Sequence, residues 1–256
     1  MKTRFIKLVS SVIFIFNAIL ASFFCLNSNA KAENITVSAA ASLTQVLTEC
    51  VRIHKIKHPN SNILLQFAAS GVLRTQIEQG APIDIFIPAI RSDINYLLEK
   101  NLLEKDSLRT FARNSLVLVT PLASAKITID DLEKQNIKRI AIGNPLTVAA
   151  GKYTKESLIY LKKWDSIAPK IIYTESVRQV VDYVERGEVQ AGFVFASDSQ
   201  NSKGSQFQFL IPSNWHSSIE YTAAIIKKSN AKNSAQFFID SLATNCQPLF
   251  VKLGFK

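Results

Sequence analysis

The sequence contains few of the residues that interrupt regular structure. Its 256 residues include 8 glycines and 8 prolines, too few for a collagen-like chain or a proline-rich disordered one. Hydrophobic residues make up 47% of the chain and charged residues 20%, which is ordinary for a folded globular protein. We find no internal repeat and no low-complexity tract. A chain of this length can form one large domain or two smaller ones, each with its own core.

The sequence also lacks the motifs of common enzyme classes. It has no G-x-S-x-G elbow, no phosphate-binding loop and no S-x-x-K that includes Ser42 or Ser70. His54 and His58 stand four residues apart, as in a zinc-binding helix, but no glutamate lies between them, and the nearby lysines favour a solvated helix end. His216 has no nucleophile beside it. We therefore expect no enzyme, no cofactor and no direct metal ligands.

The N-terminal segment differs in kind from the rest of the chain. Three basic residues precede an almost wholly apolar stretch over residues 8–26, and small residues then provide cleavage patterns ending at Ala30 and Ala32. This order predicts a signal peptide over residues 1–32, cleaved near one of these alanines, and export of the chain. An uncleaved membrane anchor is the alternative, because an apolar run of about 18 residues can also span a bilayer.

Export changes the charge of the protein. Residues 1–32 carry four basic and no acidic residues, so the rest has 26 Lys and Arg against 20 Asp and Glu, a net charge of +6 instead of +10. The lysines are scattered, which predicts a solvated surface with a mild attraction for anions. Export and this scatter both argue against nucleic acid as a partner.

Two cysteines remain after the signal peptide, Cys50 and Cys246. An even pair in an oxidising compartment permits a disulfide, which would join the first and last helices. Each cysteine lies in an apolar helical pattern, however, so we favour two buried thiols.

Strand-like and helix-like segments alternate after the signal peptide. This rhythm predicts an α/β fold built from βαβ units with mostly parallel sheets. Two series of roughly a hundred residues each predict two lobes, which we place at residues 33–112 plus 222–256 (lobe I) and 113–221 (lobe II). Because ligands bind at the carboxyl ends of strands in such sheets, we expect a cleft between the lobes.

Small residues, hydroxyls and helix starts recur where the predicted strands end. The stretches are AAAS (39–42), FAAS (67–70), VAAG (148–151), ESVR (175–178) and GFVFASD (192–198). A helix N-terminus presents unpaired backbone N–H groups and a partial positive charge, so several that converge form an anion site without Lys or Arg.

The serines in these stretches also have a structural explanation. Ser42-x-x-Gln45 and Ser176-x-x-Gln179 both match the capping box, in which a serine accepts a hydrogen bond from the first turn of a helix. The two roles are compatible, because a hydroxyl can accept one hydrogen bond and donate another.

Taken in order, these stretches resemble the periplasmic molybdate-binding proteins of bacterial ABC transporters, from about Ile35 to Phe255. The motifs that carry the resemblance are AAASLT, FAASGVLRTQIEQGAPIDIFI, NSLVLVTP, AIGNPLTVAAGKYTKESL, ESVRQVVDYVERGEVQAGFVFASD and the closing LGF. The resemblance implies a two-lobed periplasmic binding protein of type II, with a mostly parallel sheet flanked by helices in each lobe. It also implies a monomer in the periplasm that closes around a tetrahedral oxyanion and delivers it to a membrane permease.

The resemblance further implies which residues hold the anion. Ser42 and Ser70 would donate hydroxyl and backbone hydrogen bonds from lobe I. Ala150 and Val177 would donate backbone N–H groups from lobe II.

One position departs from the family pattern. Phe195 stands where the family commonly has a tyrosine whose hydroxyl donates to the anion. One lost hydrogen bond to a charged group is worth about 1.5 to 3 kcal/mol. Tyr153 or a water molecule is the candidate replacement for this donor, so the departure bears on affinity and ion choice rather than on the fold.

The charge of the anion narrows the choice of ligand. Phosphate carries a proton at neutral pH and favours a site with an acceptor, whereas molybdate, tungstate and sulfate are fully deprotonated and need only donors. None of the site positions is acidic, and the resemblance decides for molybdate or tungstate.

Three alternatives stay open. The first is a receptor of the same fold for another tetrahedral anion such as sulfate. The second is a secreted serine hydrolase that uses Ser42 or Ser70, which would need a base that neither serine has nearby in sequence. The third is a regulatory ligand-binding domain, although a signal segment stands where its DNA-binding part would be.

Overall fold

The computed structural model of the protein describes residues 34–256, so the predicted signal peptide and its cleavage site lie outside the described residues. Within this range no helix is both long enough and apolar enough to cross a membrane. The strands, in chain order, are β1 (Asn34–Ala40), β2 (Asn62–Ala68), β3 (Ile85–Ile87), β4 (Arg109–Arg113), β5 (Leu116–Pro121), β6 (Ile140–Gly143), β7 (Ile171–Thr174), β8 (Ala191–Phe195), β9 (Ser205–Leu210) and β10 (Glu220–Ile225). The helices are α1 (Thr44–Lys57), α2 (Ser70–Glu78), α3 (Arg91–Glu99), α4 (Ala149–Tyr160), α5 (Trp164–Ile167), α6 (Val177–Glu185), α7 (Ala196–Asn201), α8 (Lys232–Thr244) and α9 (Gln247–Lys252).

The strands form two five-stranded sheets, with the orders β2-β1-β3-β10-β4 and β7-β6-β8-β5-β9. In the first sheet β1 is parallel to β2 and β3, and β10 is antiparallel to its neighbours β3 and β4. In the second sheet β6 is parallel to β7 and β8, and β5 is antiparallel to β8 and β9. Each sheet is therefore mostly parallel with one reversed strand, and the predicted α/β fold is confirmed.

The two sheets use different parts of the chain. The first sheet takes β1 to β4 together with β10, and the second takes β5 to β9. The chain passes between the sheets after Arg113 and again before Glu220. The boundaries of lobe I (33–112 plus 222–256) and lobe II (113–221) stay a prediction.

Apolar periodicity explains why these segments form these elements. The central strands β3 and β8 are buried along their whole length, as expected of strands covered on both faces. On α6 the buried residues are Val177, Val180, Val181 and Val184, which recur at the spacing of one helix face.

Cys50 and Cys246 form a disulfide, with their Cα atoms 5.8 Å apart. The prediction of two buried thiols is therefore wrong, although both residues are buried as expected. Cys50 lies on α1, and Cys246 lies between α8 and α9. The packing of α1 against the C-terminal helices brings them together, and no local sequence pattern encodes that packing.

The end of α1 also differs from the sequence expectation. The His54 ring is 4% exposed and packs edge-on against Phe237 and Phe238 of α8, with ring centroids 5.6 and 5.4 Å away. Burial lowers the pKa of His54 below its ordinary value. The predicted solvated helix end is therefore wrong for His54, because this residue lies on the face of α1 that α8 covers.

Candidate functional site

A small cavity lies between the two sheets, at the ends of strands from both. Its lining consists mostly of small residues at strand ends and helix starts: Ala40, Ala41, Ser42, Ala68, Ala69, Ser70, Ala89, Val148, Ala149, Ala150, Ser176, Val177 and Phe195. No lysine, arginine or carboxylate is among these lining residues. The cavity thus presents backbone and hydroxyl groups without a formal charge.

Helix starts surround this cavity. On the side of the first sheet, α2 begins at Ser70 and a 3-10 turn over Ala41–Leu43 runs into α1. On the side of the second sheet, α4 begins at Ala149 and α6 begins at Val177. The first N–H groups of a helix have no acceptor within the helix, and together they carry a partial positive charge. Such an arrangement favours a small anion.

Ser70 has its acceptor position already filled. The Ala89 N–H donates to Ser70 Oγ at 3.0 Å, and Ser70 is 1% exposed. A hydroxyl that accepts one hydrogen bond keeps its own proton to donate. Because Ser70 lines the cavity, it is placed to donate to a ligand there.

Ser42 lines the same cavity but does not cap α1. No side-chain hydrogen bond caps the 3-10 turn or α1, because Ser42 lies inside the turn instead of before the helix. The predicted capping box at Ser42 is therefore wrong. Its Oγ atom is instead hydrogen-bonded to the Tyr221 hydroxyl at 2.9 Å.

The predicted capping role of Ser176 is confirmed, since the Gln179 N–H donates to Ser176 Oγ at 3.2 Å. The return hydrogen bond differs from the capping box, because Gln179 Oε1 accepts from the Glu175 N–H at 2.9 Å instead of from the Ser176 N–H. The cap fixes the start of α6, and with it the position of Val177 at the cavity.

Phe195 and Tyr153, the two predicted aromatic site residues, lie in different places. Phe195 ends β8, is 1% exposed and lines the cavity. Tyr153 is equally buried but is absent from the lining, and its hydroxyl donates to the Ala89 carbonyl oxygen at 2.9 Å, with the Ser218 carbonyl oxygen at 3.2 Å. Burial raises the pKa of Tyr153, so this hydroxyl stays protonated.

The structure therefore brings most of the predicted site residues together. Those that line the cavity are Ser42, Ser70, Ala150, Val177 and Phe195. Tyr153 is the one predicted site residue that does not line the cavity. Their role as ligand contacts stays a prediction.

Two residues beside the site were not anticipated from the sequence. Tyr221 on β10 is fully buried, and its hydroxyl contacts both Ser42 and the side chain of Asn114. A buried tyrosine hydroxyl generally needs a hydrogen-bond partner, and this is the one available signal. This signal does not identify the partner, because Ser42 and Tyr221 are 179 residues apart in the sequence.

Hydrogen bonds join the two sides of the cleft. The Gly71 N–H donates to the Thr147 carbonyl oxygen at 3.0 Å, and Lys152 Nζ donates to Ser92 Oγ at 2.8 Å. Tyr153 on α4 also reaches across, to Ala89 after β3. These contacts hold the cleft closed over the cavity.

A larger groove adjoins the cavity and shares Ser42 with it. Asp198 lines this groove, and its Oδ2 atom is buried without a hydrogen-bond partner. Burial raises the pKa of Asp198 to about 7, an effect that a backbone N–H and the Arg178 charge counter only in part. Near the site, burial thus disfavours the ionised form of the Asp198 carboxyl group.

Comparisons with known proteins identify the family of this chain. The family model described as "Bacterial extracellular solute-binding protein" matches residues 35–256. The molybdate-binding protein ModA of Escherichia coli K12 is 35% identical over 240 residues, which are 91% of this chain and 93% of that protein.

Solved structures show the same fold. The substrate-binding domain of a putative molybdenum ABC transporter from Clostridium difficile has a TM-score of 0.70 at 32% identity, covering 87% of this chain and 98% of that one. The periplasmic molybdate-binding protein of Azotobacter vinelandii has a TM-score of 0.75 with the same coverage at 22% identity, and it supports the two-lobed fold alone. The resemblance found in the sequence motifs is confirmed, and the chain belongs to the family of bacterial extracellular solute-binding proteins.

Proposed function

We propose that this protein is a non-catalytic receptor that captures molybdate or tungstate and delivers it to the permease of an ABC transporter. One observation carries the proposal: helices that follow strands of both sheets begin at the same cavity. Two serine hydroxyls line this cavity, and no charged side chain does. The relatives whose names mention molybdate or molybdenum support this choice of ligand.

The chemistry of the lining favours a fully deprotonated anion. Ser70 Oγ already accepts a hydrogen bond from the Ala89 N–H. The helices that begin at the cavity contribute the N–H groups of their first residues, which are donors. A protonated phosphate needs an acceptor for its own proton, whereas molybdate and tungstate need donors alone. Asp198 lines the adjoining groove and not the cavity.

Capture follows from closure of the two sides of the cleft. Ser42 and Ser70 would donate from the side of the first sheet, and the N–H groups of Ala150 and Val177 from the side of the second. All four meet the anion only when the cleft is closed, so the bound anion stabilises the closed form.

The contacts of the two serines support binding over hydrolysis. A serine nucleophile needs an adjacent base. The hydrogen-bond partners of Ser42 and Ser70 are the Tyr221 hydroxyl and the Ala89 N–H, neither of which is such a base. The proposal also places the mature protein in the periplasm as a monomer, after removal of residues 1–32, with no cofactor and no nucleic acid partner.

Calorimetric titration of the mature chain, residues 33–256, tests this function. Molybdate, tungstate, sulfate and phosphate are titrated separately into the anion-free protein. We expect tight binding of molybdate and tungstate and much weaker binding of sulfate and phosphate. A clear preference for sulfate would identify a receptor for that anion instead, and the absence of tight binding to any of the four would overturn the proposal.

A further inference from the structure

We propose that Tyr221 is a positioning residue for the oxyanion: its hydroxyl donates to Ser42 Oγ and so directs the Ser42 proton into the cavity. The proposal rests on the function proposed above and concerns a residue outside the lining of the cavity. It follows from the direction of three successive hydrogen bonds.

The first step is the orientation of the Asn114 side-chain amide. The Ser115 N–H donates to Asn114 Oδ1 at 2.9 Å, which fixes the oxygen on that side. Asn114 Nδ2 therefore faces the other way, 3.2 Å from the Tyr221 hydroxyl and 2.8 Å from Ser197 Oγ. Since an amide nitrogen only donates, the Tyr221 oxygen accepts this hydrogen bond.

The second step is the direction of the Tyr221 proton. A tyrosine hydroxyl has one proton, and Asn114 Nδ2 cannot accept it. The other hydrogen-bond partner of this hydroxyl in the described chain is Ser42 Oγ, at 2.9 Å. Tyr221 is fully buried, and burial raises its pKa so that the proton is retained. Tyr221 is therefore the donor and Ser42 the acceptor.

The third step is the direction left to the Ser42 proton. With one lone pair of Ser42 Oγ occupied by Tyr221, its proton points away from Tyr221. Ser42 lines both the cavity and the adjoining groove, and an anion held in the cavity is the acceptor that this proton would meet. A donor that is already oriented loses less conformational freedom when the ligand binds. Successive hydrogen bonds also polarise one another, which strengthens the last donor in the series.

The same arrangement occurs at Ser70 with a different donor. There the Ala89 N–H occupies Ser70 Oγ, so a main-chain group does for Ser70 what Tyr221 does for Ser42. Only proline at position 89 would delete this main-chain donor, and its ring would also constrain the backbone there. The Tyr221 hydroxyl can be deleted without such a constraint, and the comparison of the two serines supplies an internal control.

Phe195 makes this indirect donor more important. The Tyr221 ring packs edge-on against Phe195, with centroids 6.5 Å apart, and Phe195 brings no hydroxyl to the cavity. The anion then depends on its remaining hydroxyl donors, of which Ser42 is one.

The test begins with Tyr221→Phe, which removes the hydroxyl and keeps the ring. We expect anion affinity to fall about five- to tenfold by calorimetry, in the range of one weakened hydrogen bond to a charged group. Tyr96→Phe is the matched control, because the Tyr96 hydroxyl donates to Glu78 Oε1 at 2.7 Å away from the cavity. Its affinity should equal that of the wild type.

A double-mutant cycle separates positioning from a general structural effect. In a Ser42→Ala background Tyr221→Phe should cause no further loss, whereas in a Ser70→Ala background it should cause the same loss as in the wild type. An equal loss in both backgrounds, or no loss in the wild type, would overturn the proposal. If Tyr221→Phe does not fold, Asn114→Ala is used instead, because it removes the donor that sets the direction of the Tyr221 hydroxyl. It should then cause no further loss of affinity in the Ser42→Ala background and its full loss in the Ser70→Ala background.

The cycle uses the anion that the wild type binds most tightly among molybdate, tungstate, sulfate and phosphate. A wild type that prefers sulfate or phosphate contradicts the proposed function and still tests Tyr221. A wild type that binds molybdate tightly, with additive losses in the cycle, contradicts the role of Tyr221 alone. A wild type that binds none of the four overturns both.

Discussion

The Gly71 N–H and the Thr147 carbonyl oxygen join the two sides of the cleft at a distance of 3.0 Å. A Cβ atom on Gly71 would lie 3.0 Å from Thr147 Cα and 3.2 Å from its carbonyl oxygen, which is tighter than ordinary packing. The closed form therefore depends on the absence of a side chain at this position.

Gly71→Val should disfavour closure without disturbing either sheet. Overpacking of this kind costs about 1 to 3 kcal/mol, so we expect anion affinity to fall about fivefold or more. Thermal unfolding of the anion-free protein should change little, because an open cleft removes the clash. Small-angle X-ray scattering should show less compaction on addition of anion, and Gly71→Ala should have a smaller effect. Unchanged affinity and compaction would contradict the prediction.

Ser42→Ala and Ser70→Ala should each weaken anion binding. A hydrogen bond to a charged group is worth about 1.5 to 3 kcal/mol, so we expect losses of roughly 10- to 100-fold in calorimetry. Ser61→Ala is the control, because Ser61 Oγ donates to the His58 carbonyl oxygen in a turn that does not line the cavity. Wild-type affinity in both site variants would show that these serines have structural roles only.

Phe195→Tyr should tighten anion binding. The ring already lines the cavity, and a hydroxyl on it would add a donor where the lining has none. We expect a gain of about tenfold, the lower end of the value of a hydrogen bond to a charged group. Phe207→Tyr, at a 56% exposed position on β9, is the control. No gain at Phe195 would mean that another donor, such as a water molecule, already serves the anion.

Asp198→Asn should stabilise the protein at alkaline pH. The pKa of Asp198 is raised to about 7 from an ordinary value of 3.8. Between these values the folded protein keeps a proton that the unfolded chain releases, so stability falls as pH rises from about 4 to about 7. The variant, which has no carboxyl to ionise, should therefore be more stable than the wild type at pH 8.

Urea unfolding at pH 4, 6 and 8 measures this effect. The wild type and Asp198→Asn should have similar stability at pH 4 and diverge as the pH rises. A difference that is the same at all three values would rule out ionisation of Asp198 as its cause.

Loss of the Cys50–Cys246 disulfide should lower stability and leave the anion site intact. Neither cysteine lines the cavity, and a disulfide typically contributes about 2 to 4 kcal/mol. We expect a loss of this size in denaturant unfolding of the Cys50→Ser/Cys246→Ser double variant, with wild-type anion affinity. A reductant should lower the stability of the wild type and have no effect on the double variant.

The fold and most of the cavity lining followed from local features of the sequence. Strand ends rich in alanine and serine predicted where helices begin, and these are the points that meet at the cavity. Ser70, Ala150 and Val177 illustrate this, since each stands at or next to the first residue of its helix. Such positions are predictable because short-range patterns set both the strand and the helix that follows it.

The remaining features depend on contacts that are distant in sequence. Tyr221 meets Ser42 because β10 inserts between β3 and β4, and the Cys50–Cys246 disulfide forms because α1 packs against the C-terminal helices. At Ser42 the local pattern itself was ambiguous, since a 3-10 turn took the place of the expected N-cap. Tertiary packing decided these features, and a single sequence does not display it.

The insertion of β10 also determines when the protein becomes complete. Phe86 on β3 pairs with Ala224 on β10, so β3 and β4 become parts of one sheet only when β10 has been added between them. A chain that ends before Glu220 would expose the edges of β3 and β4, which are open to pairing with other molecules. Contacts of such long range form slowly. We therefore expect assembly of the first sheet to be the step at which folding competes with aggregation, and Ser42 to gain its Tyr221 partner only after β10 has been synthesised.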